Sequence, residues 1–228
     1  MGDPTHQGGS PPEGGSLDIR LLDTPEGMGR ARIHHPDDRC RRGTVLLGHG
    51  AGGQQDSADL ARLAARLPEL GWVVVLIDQP WRVSGRTVAT MPPRLDAAFI
   101  PMATRLFSGG DALPRPFVSA GRSAGARVAC RTAGSVGADA VLALSFPLHP
   151  PGQPSTSRYA ELAAAVDLGL PLVVVQGERD PFGSPAELRA AGLDAARIAA
   201  VRGTHTPHPD DVVSAAQAFL AGLDAEHG

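Results

Sequence analysis

Six short apolar runs alternate with helix-forming stretches along most of this chain. The apolar runs lie at residues 44–48, 73–77, 117–120, 140–144, 172–176 and 198–201. Their continuous hydrophobicity is typical of strands in a parallel sheet that is covered on both faces. Helical stretches separate them at residues 57–70, 94–107, 124–136, 159–168, 185–191 and 210–223. Because parallel neighbours need crossover connections, this order predicts an α/β fold with a mostly parallel, doubly wound sheet.

The N-terminal part of the chain follows a different pattern. Residues 1–16 are rich in Gly and Pro, and they hold too little apolar surface to offset the entropy lost on ordering, so we expect a flexible tail. Apolar and polar residues alternate at 17–21 and 30–34 around a turn at 24–27, which predicts an antiparallel hairpin at the sheet edge. The sequence therefore predicts about eight strands in a single domain, residues 17–228.

Charge and cysteine content argue against several classes of function. The formal net charge is -3 and basic residues are scattered, so neither nucleic acid nor an anionic membrane is expected as the main partner. The short basic run at 39–42 is expected to form a solvated loop, with a phosphate-binding patch as the alternative. Cys40 and Cys130 have no redox or metal-site spacing, and we expect reduced thiols in a cytoplasmic protein. We find no signal-peptide pattern and no apolar run long enough to span a bilayer.

A motif with a serine at its centre lies between the third apolar run and the helix that follows. Residues 121–125 read Gly-Arg-Ser-Ala-Gly, which in this context is a candidate nucleophile elbow. The turn is so sharp that Ser123 needs a strained backbone, and the flanking glycines let strand and helix approach closely. The same pentapeptide also occurs in ordinary loops. We interpret Ser123 as a candidate nucleophile.

A serine hydroxyl needs a base, and the base needs a group that fixes its tautomer. Asp180 follows the fifth apolar run and His205 follows the sixth, so both are expected at the carboxyl edge of the sheet. The chain order Ser, Asp, His is the one that this architecture uses. Two alternatives stay open, because Asp180 can cap the following helix and His208 competes with His205. The predicted catalytic residues are Ser123, Asp180 and His205.

A glycine-rich segment follows the first apolar run. Residues 49–53 read His-Gly-Ala-Gly-Gly, and such a loop lets backbone amides turn toward a developing negative charge. Together with the residue after the nucleophile, it predicts an oxyanion hole formed by the amides of Ala51 and Ala124. A phosphate-binding loop is the alternative, but the segment lacks Gly-Lys-Ser/Thr and the dinucleotide spacing.

These motifs resemble the α/β-hydrolase superfamily over residues 17–223. Within it, the chain resembles a group of dienelactone-hydrolase-like proteins related to regulatory subunit 3 of the NSL acetyltransferase complex. The matching segments are residues 49–53, 121–127, 146–152 and 177–183. The resemblance implies an α/β-hydrolase fold and places Ser123, Asp180 and His205 at the catalytic positions of the family.

The segment 146–158 comes where this fold often inserts a lid, but it is short and rich in proline, which predicts a minimal lid. His149 and Arg158 are candidates to line the pocket and hold an anionic substrate group, with solvent-exposed loop roles as the alternative. Trp81, Arg82 and Arg86 are further candidates for the pocket wall. A small, open site suits short acyl or lactone substrates.

The residues predict a serine hydrolase that cleaves a small ester, thioester or lactone through an acyl-enzyme. Its partner is a small-molecule acyl substrate, and the mechanism needs neither a metal nor an organic cofactor. Two alternatives remain at this stage. One is a non-catalytic scaffold that serves as a protein-interaction module, since fold does not dictate function. The other is an acyltransferase with the same three residues. The oligomeric state is left open.

Overall fold

A computed structural model describes residues 16–37 and 41–227 of the chain, with side chains as far as Leu223. Its strands are β1 (Leu17–Thr24), β2 (Gly27–His34), β3 (Gly43–Gly48), β4 (Trp72–Asp78), β5 (Phe117–Arg122), β6 (Ala140–Leu144), β7 (Leu172–Gly177) and β8 (Ile198–Val201). They form one eight-stranded sheet in the order β1-β2-β4-β3-β5-β6-β7-β8. Strand β2 pairs antiparallel with β1 and β4, and every other pairing is parallel. The predicted fold class is confirmed.

Helices cover both faces of the sheet. They are α1 (Ala58–Arg66), α2 (Pro80–Val83), α3 (Pro92–Leu106), α4 (Ala124–Val136), α5 (Tyr159–Asp167), α6 (Pro185–Ala190) and α7 (Pro209–His227). On one face, α1 and α7 bury Leu63 and Leu220 against the strands. On the other face, α3, α4 and α5 bury Phe99, Cys130 and Leu162. Burial raises the pKa of the Cys130 thiol to about 12, so this cysteine is an unreactive core residue.

The helical predictions differ from the structure at α1 and at α2. The predicted helix at 57–70 ends at Arg66 and is followed by a separate 3-10 turn, Pro68–Leu70. Pro68 has no N–H for a helical hydrogen bond, so a new turn begins there. The short helix α2 has no helical period in the sequence and was not predicted. No helix among the residues that the structure describes is long and apolar enough to cross a membrane.

Predictions for the N-terminal part of the chain and for the lid segment have different outcomes. The predicted N-terminal tail, apart from Ser16, lies outside the described residues, and so do Arg39 and Cys40 of the basic run. Segment 146–158 contains turns and no helix or strand, which agrees with a minimal lid. The antiparallel hairpin is confirmed as β1 and β2, whose register pairs Thr24 with Gly27.

The parallel strands bring their carboxyl ends to one edge of the sheet. Strands β3, β5, β7 and β8 end at Gly48, Arg122, Gly177 and Val201. The segments that follow these strands carry the candidate catalytic and oxyanion residues, and one of these, Ala124, is the first residue of α4. Open α/β sheets bind their ligands at this edge, so the topology positions a site there.

Candidate active site

The turn between β5 and α4 holds Ser123 in a strained conformation. Its φ of 55° and ψ of -112° lie in a region that side-chain-bearing residues rarely adopt. The Ser123 N–H donates a hydrogen bond of 2.9 Å to the carbonyl of Leu144, which anchors the turn to the neighbouring strand. A Cβ on Gly121 would collide with the backbone of Gly125, and a Cβ on Gly125 would collide with the carbonyl of Gly48. The predicted need for both glycines therefore has a direct steric cause.

Ser123, His205 and Asp180 form one chain of hydrogen bonds. His205 Nε2 lies 3.0 Å from Ser123 Oγ, and His205 Nδ1 lies 2.8 Å from Asp180 Oδ2. Since a carboxylate only accepts, His205 Nδ1 carries the proton and Nε2 faces the hydroxyl as an acceptor. The Asp180 side chain is fully buried, whereas 18% of the His205 side chain is exposed. His208, the competing candidate, is exposed and makes no contact of this kind.

Further donors hold the Asp180 carboxylate. The backbone N–H of Phe182 donates to Oδ1 over 2.8 Å, and Gln176 Nε2 donates to Oδ2 over 3.0 Å. The fully buried Gln176 Nε2 also lies 3.2 and 2.6 Å from the carbonyls of Phe146 and Gly183, so its two N–H groups are shared among three acceptors. Sequence reasoning missed Gln176, although it is the one polar residue of the apolar run at 172–176.

Asp180 does not cap the following helix, which was its alternative role. Helix α6 is capped by Ser184, whose side chain accepts from the N–H of Glu187 while the Glu187 side chain accepts from the N–H of Ser184. This reciprocal arrangement satisfies the helix start without Asp180. The Asp180 carboxylate instead contacts Gln176, Phe182 and His205.

Arg122, the residue before Ser123, contacts the loop that carries His205. Its Nη2 donates to the His205 carbonyl over 2.9 Å and to Thr206 Oγ1 over 3.2 Å, and its Nε donates to Asp59 Oδ2 over 3.1 Å. Phe182 packs on the His205 ring from another side, with a centroid distance of 4.2 Å. Arg122 and Asp59 were also missed, because they are far apart in sequence and meet only after folding.

The loop after β3 carries Ala51, one predicted oxyanion donor. The carbonyl of Ala51 accepts from the N–H of Ala89 over 2.9 Å, and the N–H of Gly53 donates to the carbonyl of Thr87 over 3.3 Å. Within the described residues, the amides of Ala51 and Ala124 donate no backbone hydrogen bond. Ala124 opens α4, where an N–H has no partner inside the helix. Both amides are therefore available to an anion, and their oxyanion role stays a prediction.

His49 fixes the start of the same loop. Its Nδ1 lies 2.8 Å from the Gly50 carbonyl, and its Nε2 accepts from the Gln79 N–H over 3.1 Å. These partners place the single ring proton on Nδ1. Burial lowers the pKa of His49 to about 4, so the ring is neutral at neutral pH. The ring also meets Trp81 edge to face at 5.1 Å.

Arg82 supports this loop from α2. Its Nη1 lies 3.1 Å from Asp78 Oδ1 and 3.0 Å from Asp56 Oδ1, and its Nε donates to the Gln54 carbonyl over 3.2 Å. Although burial opposes ionisation, the guanidinium groups of Arg32 and Arg82 hold the pKa of Asp56 below its ordinary value. The prediction of Arg82 as a pocket-wall residue is wrong, because these buried ion pairs occupy its side chain.

Residues 41–209 match the protein family described as "Alpha/beta hydrolase domain". The chain belongs to this family. Its match covers the turn at Ser123, the loop at His49 and the strand ends that carry Asp180 and His205. No curated protein sequence matches the chain.

Solved α/β-hydrolase structures share the fold at low sequence identity. An alpha-beta serine hydrolase homologue from Coxiella burnetii has a TM-score of 0.71 at 16% identity, over 90% of this chain and 97% of that one. A serine hydrolase without lid from Xanthomonas campestris has a TM-score of 0.65 at 17% identity, over 93% and 94%. Dienelactone hydrolase from Anabaena variabilis has a TM-score of 0.65 at 18% identity, over 91% and 96%. The relation to NSL regulatory subunit 3 stays a prediction.

Two cavities of this α/β-hydrolase adjoin the loop after β4. One has a volume of about 10 Å³ and is lined by Ala124 and Trp81, among others. The other has a volume of about 240 Å³ and is lined by Trp81 and Arg86. Gln79 and Trp81 line both cavities, so the two cavities adjoin. The structure thus places Trp81 and Ala124 on the wall of the same cavity, and a substrate-binding role for Trp81 and Arg86 stays a prediction.

His149 and Arg158 lie elsewhere in the loop after β6. His149 is buried, and its ring nitrogens lie 2.9 Å from the Pro150 carbonyl and 3.1 Å from Glu187 Oε1. Arg158 Nη1 donates to the Pro147 carbonyl over 3.1 Å. Neither residue lines the two cavities, and their substrate-binding role stays a prediction. Across the described part of the chain, His, Cys, Asp and Glu side chains form no group of three that would hold a metal ion.

Proposed function

We propose that this α/β-hydrolase is a serine hydrolase that cleaves a small ester, thioester or lactone through an acyl-enzyme. The observation that carries the proposal is the chain of hydrogen bonds from Ser123 through His205 to Asp180, at 3.0 and 2.8 Å. It stands at the strained turn that opens α4, where the hydroxyl is presented at the sheet edge. Such an arrangement supplies a nucleophile, a base and a group that orients the base.

The reaction begins when Ser123 Oγ attacks the substrate carbonyl carbon and His205 Nε2 takes the hydroxyl proton. The carbonyl oxygen becomes an oxyanion that accepts hydrogen bonds from the amides of Ala51 and Ala124. One such donor is worth about 3 to 4 kcal/mol of transition-state stabilisation. The positive end of the α4 dipole favours the same charge, and Asp180 stabilises the His205 imidazolium.

Collapse of the tetrahedral intermediate breaks the bond to the leaving group, which takes the proton from His205. The acyl group is then bonded to Ser123. His205 removes a proton from water as the water attacks the acyl carbon, and a second oxyanion forms at Ala51 and Ala124. Return of the proton to Ser123 Oγ releases the carboxylic acid.

The surroundings of Ser123 support a small substrate. Segment 146–158 contains no helix that would cover the site, and the cavity beside Ala124 is small. The likeness to a serine hydrolase described as lacking a lid and to a dienelactone hydrolase supports the same view at the level of fold. Thioesters and lactones present the same carbonyl to Ser123 as esters do.

A fluorophosphonate probe tests the proposal, because it reacts with an activated serine hydroxyl. We expect the folded protein to be labelled, Ser123→Ala to lose the label, and His205→Ala to be labelled far more slowly. Ser214→Ala, which changes an exposed serine of α7, is the matched control and keeps the label. Absence of label on the folded protein would overturn the proposal. A label that survives Ser123→Ala would assign the nucleophile to another residue.

A further inference from the structure

The smaller cavity lies between the loop after β3, helix α3 and the start of α4. Gly50 and Ala124 line the side toward the candidate oxyanion donors. Leu95 and Phe99 of α3 and Val128 of α4 line the inner side. The cavity therefore connects the segments that would bind the oxyanion to the hydrophobic core under α3.

The cavity is next to the nucleophile. Ala124 follows Ser123 in the chain, and a Cβ built on Gly50 would lie 3.8 Å from the Ser123 Cβ. A carbonyl carbon attacked by Ser123 bears its oxygen, its leaving group and its acyl substituent. With the oxygen at the amides of Ala51 and Ala124, the cavity lies beside the two remaining groups and is a candidate space for one of them.

The cavity accepts very little. Its volume of about 10 Å³ corresponds to one group of the size of a water molecule. Its inner walls are core residues, with exposed fractions of 6% for Leu95, 1% for Phe99 and 3% for Val128. Close-packed interiors do not yield to an added methylene without strain.

We infer that this cavity binds the methyl group of an acetyl ester and limits the acyl substituent to about that length. The inference rests on the proposed function and deepens it, since it names the acyl class. Leu95, Phe99 and Val128 are then the residues that determine acyl-chain length. The larger cavity is distinct from the smaller one and shares the lining residues Gln79 and Trp81 with it.

The test compares hydrolysis of p-nitrophenyl acetate, butyrate and hexanoate, with the rate of Ser123→Ala subtracted. We expect the unaltered protein to prefer acetate to butyrate by about tenfold or more in kcat/KM, since one methylene in such a pocket changes the rate by that order. Leu95→Ala enlarges the cavity and is expected to bring the acetate-to-butyrate ratio close to one. Leu106→Ala is the matched control, because Leu106 is a buried leucine of the same helix that does not line the cavity.

Val128→Ala is a smaller change that decides the question if Leu95→Ala fails to fold, and we expect it to shift the ratio in the same direction. Equal rates on acetate and hexanoate in the unaltered protein would overturn the inference. So would a ratio that Val128→Ala leaves unchanged, or one that Leu106→Ala shifts as much as Leu95→Ala. In those cases fluorophosphonate labelling of Ser123 would still support the proposed function. Loss of both labelling and turnover would overturn the two together.

Discussion

Arg122 Nη2 donates a hydrogen bond of 2.9 Å to the backbone carbonyl of His205. The residue before the candidate nucleophile therefore also holds the loop that presents the candidate base. The guanidinium is itself held by Asp59, whose side chain is 2% exposed and comes from α1. Removal of one partner of such a buried charge pair destabilises a protein, because the other charge is left buried without compensation. The contact thus couples the position of His205 to the turn at Ser123.

We expect Arg122→Gln to lower kcat by about tenfold to a hundredfold, because a small displacement of a catalytic group has an effect of this size. KM should change little, since the Arg122 side chain contacts protein groups. Arg122→Lys retains a charge for Asp59 and should recover part of the activity. Steady-state kinetics on a short-chain ester measure both constants. Arg62→Gln, which removes an exposed ion pair with Asp210, is the control. An unchanged kcat in Arg122→Gln would contradict this role.

Gln176→Met should reduce both stability and kcat. The substitution removes the donor to Asp180 and leaves the buried carbonyls of Phe146 and Gly183 without it. Each such loss costs about 1 to 3 kcal/mol of the free energy of unfolding. Urea denaturation and kcat measure the two effects. Gln217→Met on α7 is a control that should leave both nearly unchanged. A variant with normal kcat would show that Phe182 and His205 suffice to orient the carboxylate.

The buried His49 makes the free energy of unfolding depend on pH. Its pKa is about 4 in the folded protein against an ordinary value of 6.5, so the unfolded chain binds a proton first as pH falls. The contribution of His49 to the free energy of unfolding is fully present above pH 6.5 and is lost progressively down to about pH 4. The total loss from this group is about 3 kcal/mol.

His49→Gln retains an acceptor for the Gln79 N–H and does not titrate in this range. Its unfolding free energy should therefore decline less steeply between pH 6.5 and 4. Urea denaturation at several pH values measures the slopes. His208→Gln, at an exposed histidine, should keep the slope of the unaltered protein. Parallel slopes for His49→Gln and the unaltered protein would contradict the assignment.

Gly125→Ala and Gly134→Ala should have opposite effects, although both change a glycine of α4. A Cβ at Gly125 meets the carbonyl of Gly48, and relief of this overlap requires backbone movement at the site. We expect a loss of about 1 to 3 kcal/mol in unfolding free energy and a strong fall in kcat. At Gly134 the nearest atoms, at 3.3 Å, belong to the half-exposed side chain of Leu168, which can move. Gly134→Ala should raise the free energy of unfolding by up to about 1 kcal/mol and leave kcat normal. Thermal unfolding and kcat distinguish the two.

Local patterns predicted most of the fold. The six apolar runs correspond to β3 through β8. For β3 to β7 the reason is burial on both faces, which requires continuous hydrophobicity. The edge strand β8 is apolar although it is only partly buried. Ser123, Asp180 and His205 were predicted as partners from their order and from the strand ends that precede them, and the structure brings them into one chain of hydrogen bonds. Helix α2 could not be found, since four residues show no period.

Local sequence patterns also could not predict contacts between residues that are far apart in the sequence. Asp59 and Arg122 are separated by 63 residues, and nothing in either segment indicates the other. Gln176 was marked by its polarity within an apolar run, but its three acceptors come from loops whose relative positions require the sheet register. The choice between His205 and His208 likewise depended on the path of one loop.

The close approach of Gly48 to Gly125 joins the two candidate oxyanion segments through main chain alone. The separation of the amides of Ala51 and Ala124 therefore depends on where two residues without side chains touch. By contrast, we infer that the side chains of Leu95, Phe99 and Val128 set the limit on acyl-chain length. Substitutions on α3 can thus change which molecule is accepted while the stabilisation of negative charge is conserved. The acyl preference and the stabilisation of the oxyanion therefore depend on different parts of the molecule, and one can change while the other is retained.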